Sequence, residues 1–103
     1  MRDELPVRLG GLAANLARIK SFSEHIEHLD VVKNLLEESK FFIEWNIPDA
    51  KLEIQTELVQ LQIQLALWEY KWETIWANPV QRDDITEQAN DWSKRILKIS
   101  GLL

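Results

Sequence analysis

Residues 52–77 read LEIQTELVQLQIQLALWEYKWETIWA, and this stretch decides the fold of the chain. It lies between Pro48 and Pro79 and contains neither Gly nor Pro, so no residue in it interrupts a helix. Its apolar residues recur at alternating steps of four and three, the spacing that places side chains on one face of an α-helix. The first row of such residues comprises Ile54, Leu58, Leu61, Leu65, Trp68, Trp72 and Ile75.

A second apolar row follows the same stretch. At 100° per residue it lies about 160° from the first row, with Gln, Glu and Lys on the flanks between them. A helix with one side in water needs a single row, so we expect this helix to be covered from both sides. Alternation over 59–65 would also fit a strand, but Leu and Gln favour a helix and no second strand candidate exists. The second row comprises Leu52, Val59, Ile63, Ala66, Tyr70 and Ala77.

The sequence before this stretch also has helical spacing. Apolar residues keep the 3–4 pattern through residues 5–45, which predicts one long helix or two shorter ones with a break near 21–30. The segment Ser21-Phe22-Ser23-Glu24 matches a capping box, which favours two pieces. Pro48 then predicts the start of the middle helix, because proline is well tolerated in a first turn.

A last helix is predicted over residues 84–100, with Asp83 or Asp84 as its N-cap. The fold class is therefore all-α: a three- to four-helix antiparallel bundle in one domain, with a long central helix over 48–77. That central helix is about 44 Å long, whereas the last helix spans only about 25 Å. Because the last helix cannot cover a whole face of the central one, we predict completion by a two-fold homodimer.

Composition narrows the classes of function. The chain of 103 residues has 46% hydrophobic residues and a formal charge of −5, so phosphate backbones are repelled and we expect no nucleic-acid partner. It contains no Cys, which removes disulfides and thiolate chemistry. No apolar run approaches the ~20 residues that cross a bilayer, and no signal-peptide pattern is present. We expect a cytoplasmic protein with no membrane association.

Three tryptophans are the most prominent candidates for an interface. Trp68, Trp72 and Trp76 step by four along the middle helix, and tryptophan is enriched at binding hot spots. Core packing is the interpretation that the helical spacing itself favours, and a recognition surface is the alternative. The two coincide if the tryptophans lie in the contact between the two copies of a dimer. The predicted interface residues are Trp68, Trp72, Trp76, Tyr70, Ile63 and Val59.

A second candidate is a small polar site. His25 and His28 are three residues apart, close enough on a helix to share a metal, but the Glu-x-x-His spacing of di-iron bundles is missing. We therefore expect solvent-exposed histidines and no metal. Arg18 and His25 are separated by six residues, which resembles the Arg-x(4–6)-His signature of the HEPN ribonucleases at two positions only. That resemblance implies an all-helical, often dimeric fold with Arg18 and His25 as the residues that cleave RNA.

No other catalytic pattern is present: the sequence has no Gly-rich phosphate loop and no Gly-x-Ser-x-Gly motif. We expect a non-catalytic protein–protein interaction or regulatory module that acts as a homodimer, with an unidentified protein partner and no cofactor. The alternative is a small helical enzyme, either HEPN-like or metal-dependent, that uses Arg18, His25 and His28.

Overall fold

The computed structural model describes residues 4–100, and within this range the chain forms helices and the short turns between them. The all-α prediction is confirmed, and residues 59–65 are helical. The described range contains five α-helices, two 3-10 helices and no strand. The α-helices are α1 (Glu4–Phe22), α2 (Leu29–Asn46), α3 (Leu52–Tyr70), α4 (Trp72–Ala77) and α5 (Pro79–Ser100), and the 3-10 helices are Ile26–His28 and Ile47–Asp49.

The break between α1 and α2 lies within the range 21–30, so the first part of the chain forms two helices. Just after the end of α1, the Ser23 hydroxyl donates a hydrogen bond to the Ile19 carbonyl in the last turn. The capping-box prediction is wrong, because Ser21, the residue that would cap the next helix, lies inside α1. The N-cap position of α2 is His28, which makes no side-chain capping bond.

The middle helix is shorter than predicted at its start. Pro48 belongs to the 3-10 turn, and α3 begins only at Leu52. The Gln55 side chain donates hydrogen bonds to the carbonyls of Ile47 (2.9 Å) and Ala50 (3.0 Å). These bonds satisfy the carbonyls of the connection and fix the direction in which α3 leaves it.

The middle helix is also interrupted, which corrects the prediction of one helix over 48–77. Lys71 adopts φ −106° and ψ 21°, and a separate helix, α4, follows it. In an unbroken helix each four-residue step rotates a side chain by about 40°, so Trp76 would turn about 80° away from Trp68. After the interruption Trp72 and Trp76 are both buried, and the Trp72 indole N–H donates to the Leu29 carbonyl at 3.3 Å.

The last helix starts earlier than predicted. Asn78 caps α5, because its Oδ1 accepts hydrogen bonds from the backbone N–H groups of Val80 (3.0 Å) and Gln81 (3.3 Å). Pro79 occupies the first helical position, where its missing N–H costs nothing. The predicted start at residue 84 and the predicted caps Asp83 and Asp84 are therefore wrong: both aspartates lie inside α5.

The core lies between these helices. α1 packs against α5 and α2, α2 also packs against α3, and α4 packs against α5. Gly11 allows α1 and α2 to approach, because a Cβ there would lie 3.3 Å from Cε1 of Phe42. The Ser93 hydroxyl donates to the Ala13 carbonyl at 2.8 Å and joins α5 to α1. The first apolar row of α3 faces this core, and Leu58, Leu61 and Leu65 are fully buried in it.

Candidate interaction surface

The second apolar row of α3 points away from the core and is exposed along its length. Tyr70 keeps 85% of its surface accessible and Ile63 57%, and Leu52 and Val59 are also exposed. Because all its members are exposed, no other element among residues 4–100 covers this row. We call this surface the α3 strip, and it consists of Leu52, Val59, Ile63, Ala66 and Tyr70.

The α3 strip carries no charge. Between Glu53 and Glu69 the only charged residue is Glu57, and its carboxylate accepts a hydrogen bond from Arg95 of α5. The flanking Gln55 and Gln62 side chains are occupied, because Gln62 donates to Glu44 at 3.2 Å and Gln55 donates to the turn before α3. A row of exposed apolar side chains with neutral flanks is typical of a surface that binds another protein.

α2 extends this surface with one aromatic ring. Lys40 of α2 forms an ion pair with Glu69 of α3 at 3.4 Å, so the two helices lie side by side. Phe41 is 70% exposed and lines a shallow groove together with Lys40, Glu44 and Glu69. Both helices turn their buried sides to the same core, so Phe41 and the α3 strip face outward on the same side of the molecule.

The six predicted interface residues divide into two groups. Val59, Ile63 and Tyr70 are exposed on the α3 strip. The three tryptophans are buried, and the ring centroids of Trp72 and Trp76 lie 5.2 Å apart inside the protein. The three indoles therefore pack in the core of the single chain.

Two exposed apolar residues beside the strip were not predicted from the sequence. Leu67 lies four residues after Ile63 and is exposed on the edge of the α3 strip, so the helical spacing carried a signal for it. Phe41 had no comparable signal. Its neighbour Phe42 lies beside Gly11 of α1, and only the packing of α2 against α1 and α3 shows which of the two rings faces outward.

The predicted polar site is only partly assembled. The ring centroids of His25 and His28 are 5.5 Å apart, and Nδ1 of His28 lies 3.2 Å from the Phe22 carbonyl oxygen. The hydrogen bond described for Arg18 is with Asn15, at 2.9 Å, and not with a histidine. Among residues 4–100 no group of three or more acidic or histidine side chains is arranged to hold a metal ion.

Comparisons with protein-family models, with curated proteins and with solved structures found no match to this chain. Across residues 4–100, every helix is either too short or too polar to cross a bilayer. Function must therefore be inferred from the surface itself, and the α3 strip is its most distinctive feature.

Proposed function

We propose that this chain is a non-catalytic interaction module, an adaptor or regulatory subunit, that works as a homodimer through the α3 strip. The observation that carries the proposal is the exposure of Ile63 and Tyr70 on an uncharged face of a helix whose opposite face is fully buried. Apolar surface of this kind is stabilised when it leaves water, by about 25 cal/mol per Å².

The spacing of the α3 strip favours a helix as its occupant. With Thr56 included, the positions from Leu52 to Tyr70 follow steps of 4, 3, 4, 3 and 4. This is the spacing of the seam between two helices in a coiled coil, where each side chain enters a space between residues of the facing helix. A flat or irregular partner surface would not require such a repeat.

A second copy of the chain meets this requirement. Each copy supplies a helix with an apolar seam, and two-fold contacts between identical surfaces are the most common form of oligomer. Each chain also has a net charge of −5, so two copies repel each other over most of their surfaces. The α3 strip is a neutral region where two copies approach without placing like charges opposite one another.

In the proposed assembly the helices of each copy form an antiparallel bundle that the second copy completes. Within a copy, the bond from Trp72 to the Leu29 carbonyl and the bond from Gln55 to the Ile47 carbonyl lie at opposite ends of the α2–α3 pair. We propose the cytoplasm as the setting, because secreted domains of this size usually depend on disulfides and this chain has no Cys.

The test is the mass of the protein in solution, measured by light scattering during size-exclusion chromatography at micromolar concentration. The proposal predicts a mass of about twice the 12.1 kDa of one chain, decreasing toward 12.1 kDa on dilution. A mass of 12.1 kDa at every concentration would overturn the proposal.

The enzyme alternative makes a different prediction for the polar site. If Arg18 and His25 cleaved RNA, the variants Arg18→Ala and His25→Ala would lose ribonuclease activity while keeping the helical circular dichroism spectrum. As a non-catalytic module, the wild-type protein has no such activity, and both variants have the dimer mass of the wild type. Purified protein that cleaves RNA, and loses this activity on His25→Ala, would replace our proposal with the enzyme.

A further inference from the structure

We infer that the two α3 helices of the dimer run antiparallel, in a register that pairs Leu52 with the partner's Tyr70 and Val59 with the partner's Ile63. This inference rests on the proposed function, because it takes the α3 strip as the contact between the copies. It adds the direction of the partner helix and the alignment of the two strips.

The spacing of the α3 strip allows this register, because every residue of the seam then has a seam residue of the partner opposite it. The steps of 4, 3, 4, 3 and 4 read the same in both directions along the helix. An antiparallel copy therefore brings a seam residue opposite every seam residue, with Thr56 facing the partner's Ala66. The two-fold axis crosses α3 at the level of Leu61, which is buried on the opposite side of the helix.

The position of α2 distinguishes the antiparallel dimer from a parallel one. In the antiparallel dimer the axis is perpendicular to α3, so the two α2 helices lie on the same side of the α3 pair and face each other. Phe41, which is exposed on that side, is then covered together with the α3 strip. In a parallel dimer the axis runs along α3 and places the two α2 helices on opposite sides, which leaves Phe41 in water.

Charges at the ends of the strip fit the same register. Glu53 and Lys71 are both exposed and lie eighteen residues apart, which is about five helical turns, so they share one flank of the seam. In the antiparallel register Glu53 lies on the same flank as the partner's Lys71 at both ends of the dimer, two residues or about 3 Å from its level along the axis. In a parallel dimer the two side chains stay about 27 Å apart along the axis.

Disulfide cross-linking tests this register, and the absence of Cys means that introduced thiols are the only ones present. Leu52→Cys and Tyr70→Cys are purified separately, mixed, allowed to exchange subunits and oxidised with glutathione. Mass spectrometry then separates the mixed disulfide from the two homodimeric ones. Bridging requires Cα atoms within about 7 Å, so the antiparallel register predicts the mixed product alone.

The outcomes separate this inference from the proposed function. A monomeric wild-type protein would overturn both. A dimeric wild-type protein whose Leu52→Cys variant bridges to itself would overturn only the antiparallel direction. Dimeric variants that form no disulfide in any combination would overturn the register.

Charge exchange provides a second measurement that does not depend on oxidation. Glu53→Lys alone should raise the dimer dissociation constant several-fold, because it places like charges close to each other at both ends. Adding Lys71→Glu to the same chain should restore the wild-type dissociation constant. A double variant that dimerises no better than Glu53→Lys would contradict the inferred pairing.

Discussion

The two sides of α3 have similar sequences but different surroundings. The inner side presents Leu58, Leu61 and Leu65, which are fully buried against other helices of the same chain. The outer side presents Val59, Ile63 and their neighbours at the same helical spacing, and these residues are exposed. Both rows are apolar, yet the chain covers only one of them.

The difference shows that the spacing of an apolar row predicts that the row is buried, but not whether a helix of the same chain or of a second chain buries it. Over its 19 residues, α3 carries its polar side chains mainly on the flanks between the two apolar rows, and several of them contact α2, α5 and the preceding turn. The inner row stabilises the single chain, and the outer row is available to a second one. The predictions below therefore separate folding from association.

Truncation of the inner row should affect folding strongly. Leu61→Ala removes a fully buried side chain and leaves a cavity, so we expect a loss of about 2–5 kcal/mol in the free energy of unfolding. The matched control is Ile63→Ala on the outer row, which should change the unfolding free energy by less than about 0.5 kcal/mol in dilute protein. Urea denaturation followed by circular dichroism measures the unfolding free energy of both variants. Equal losses of this free energy would contradict the claim that only the inner row stabilises the single chain.

A charge on the outer row should affect association and not folding. Val59→Glu places a carboxylate in the centre of the proposed seam, so we expect the dimer dissociation constant to rise at least about tenfold, equivalent to 1.4 kcal/mol. Val80→Glu is the control, since Val80 is also an exposed valine on a helix but lies on α5. Sedimentation equilibrium gives both constants, and similar behaviour of the two variants would exclude the α3 strip as the contact.

A smaller loss of stability is expected when the hydrogen bond of the buried Trp72 is removed. Trp72→Phe keeps an aromatic ring in the core but removes the hydrogen bond to the Leu29 carbonyl, so we expect a loss of about 1 kcal/mol in the free energy of unfolding. Tyr70→Phe removes a hydroxyl from the exposed α3 strip and should change this free energy by less than about 0.5 kcal/mol. Thermal denaturation of the two variants at one protein concentration makes the comparison, and an unchanged Trp72→Phe would mean that the bond adds no stability.

Periodicity was sufficient to predict the all-helical class and both rows of α3, because side-chain spacing follows directly from the geometry of a helix. It failed where contacts from distant residues decide the backbone. The interruption at Lys71 accompanies a bond from Trp72 to Leu29, more than forty residues earlier in the chain. The start of α5 differs from the prediction for a local reason: Asn78-Pro79 both ends one helix and begins the next, since asparagine is a good N-cap and proline fits the first helical position.

The candidate surface was predicted in part for the same reason. The exposed positions Val59, Ile63 and Tyr70 follow from helical spacing, whereas Trp68, Trp72 and Trp76 are interface candidates by residue type alone. Burial depends on which helices meet, and here α4 packs against α5 and Trp72 bonds to Leu29. Phe41 likewise became part of the surface only through the packing of α2 beside α3.

The most direct test of the central claim is the accessibility of the α3 strip itself in the assembled protein. An Ile63→Cys variant carries a single thiol in the centre of the strip, and its rate of reaction with a thiol reagent can be followed as the protein is diluted. Our account predicts slow labelling in concentrated protein and fast labelling in dilute protein, with a Val80→Cys control that reacts at one fast rate throughout. Fast labelling of Ile63→Cys at every concentration, in protein with the wild-type circular dichroism spectrum, would show that this face of α3 stays in water.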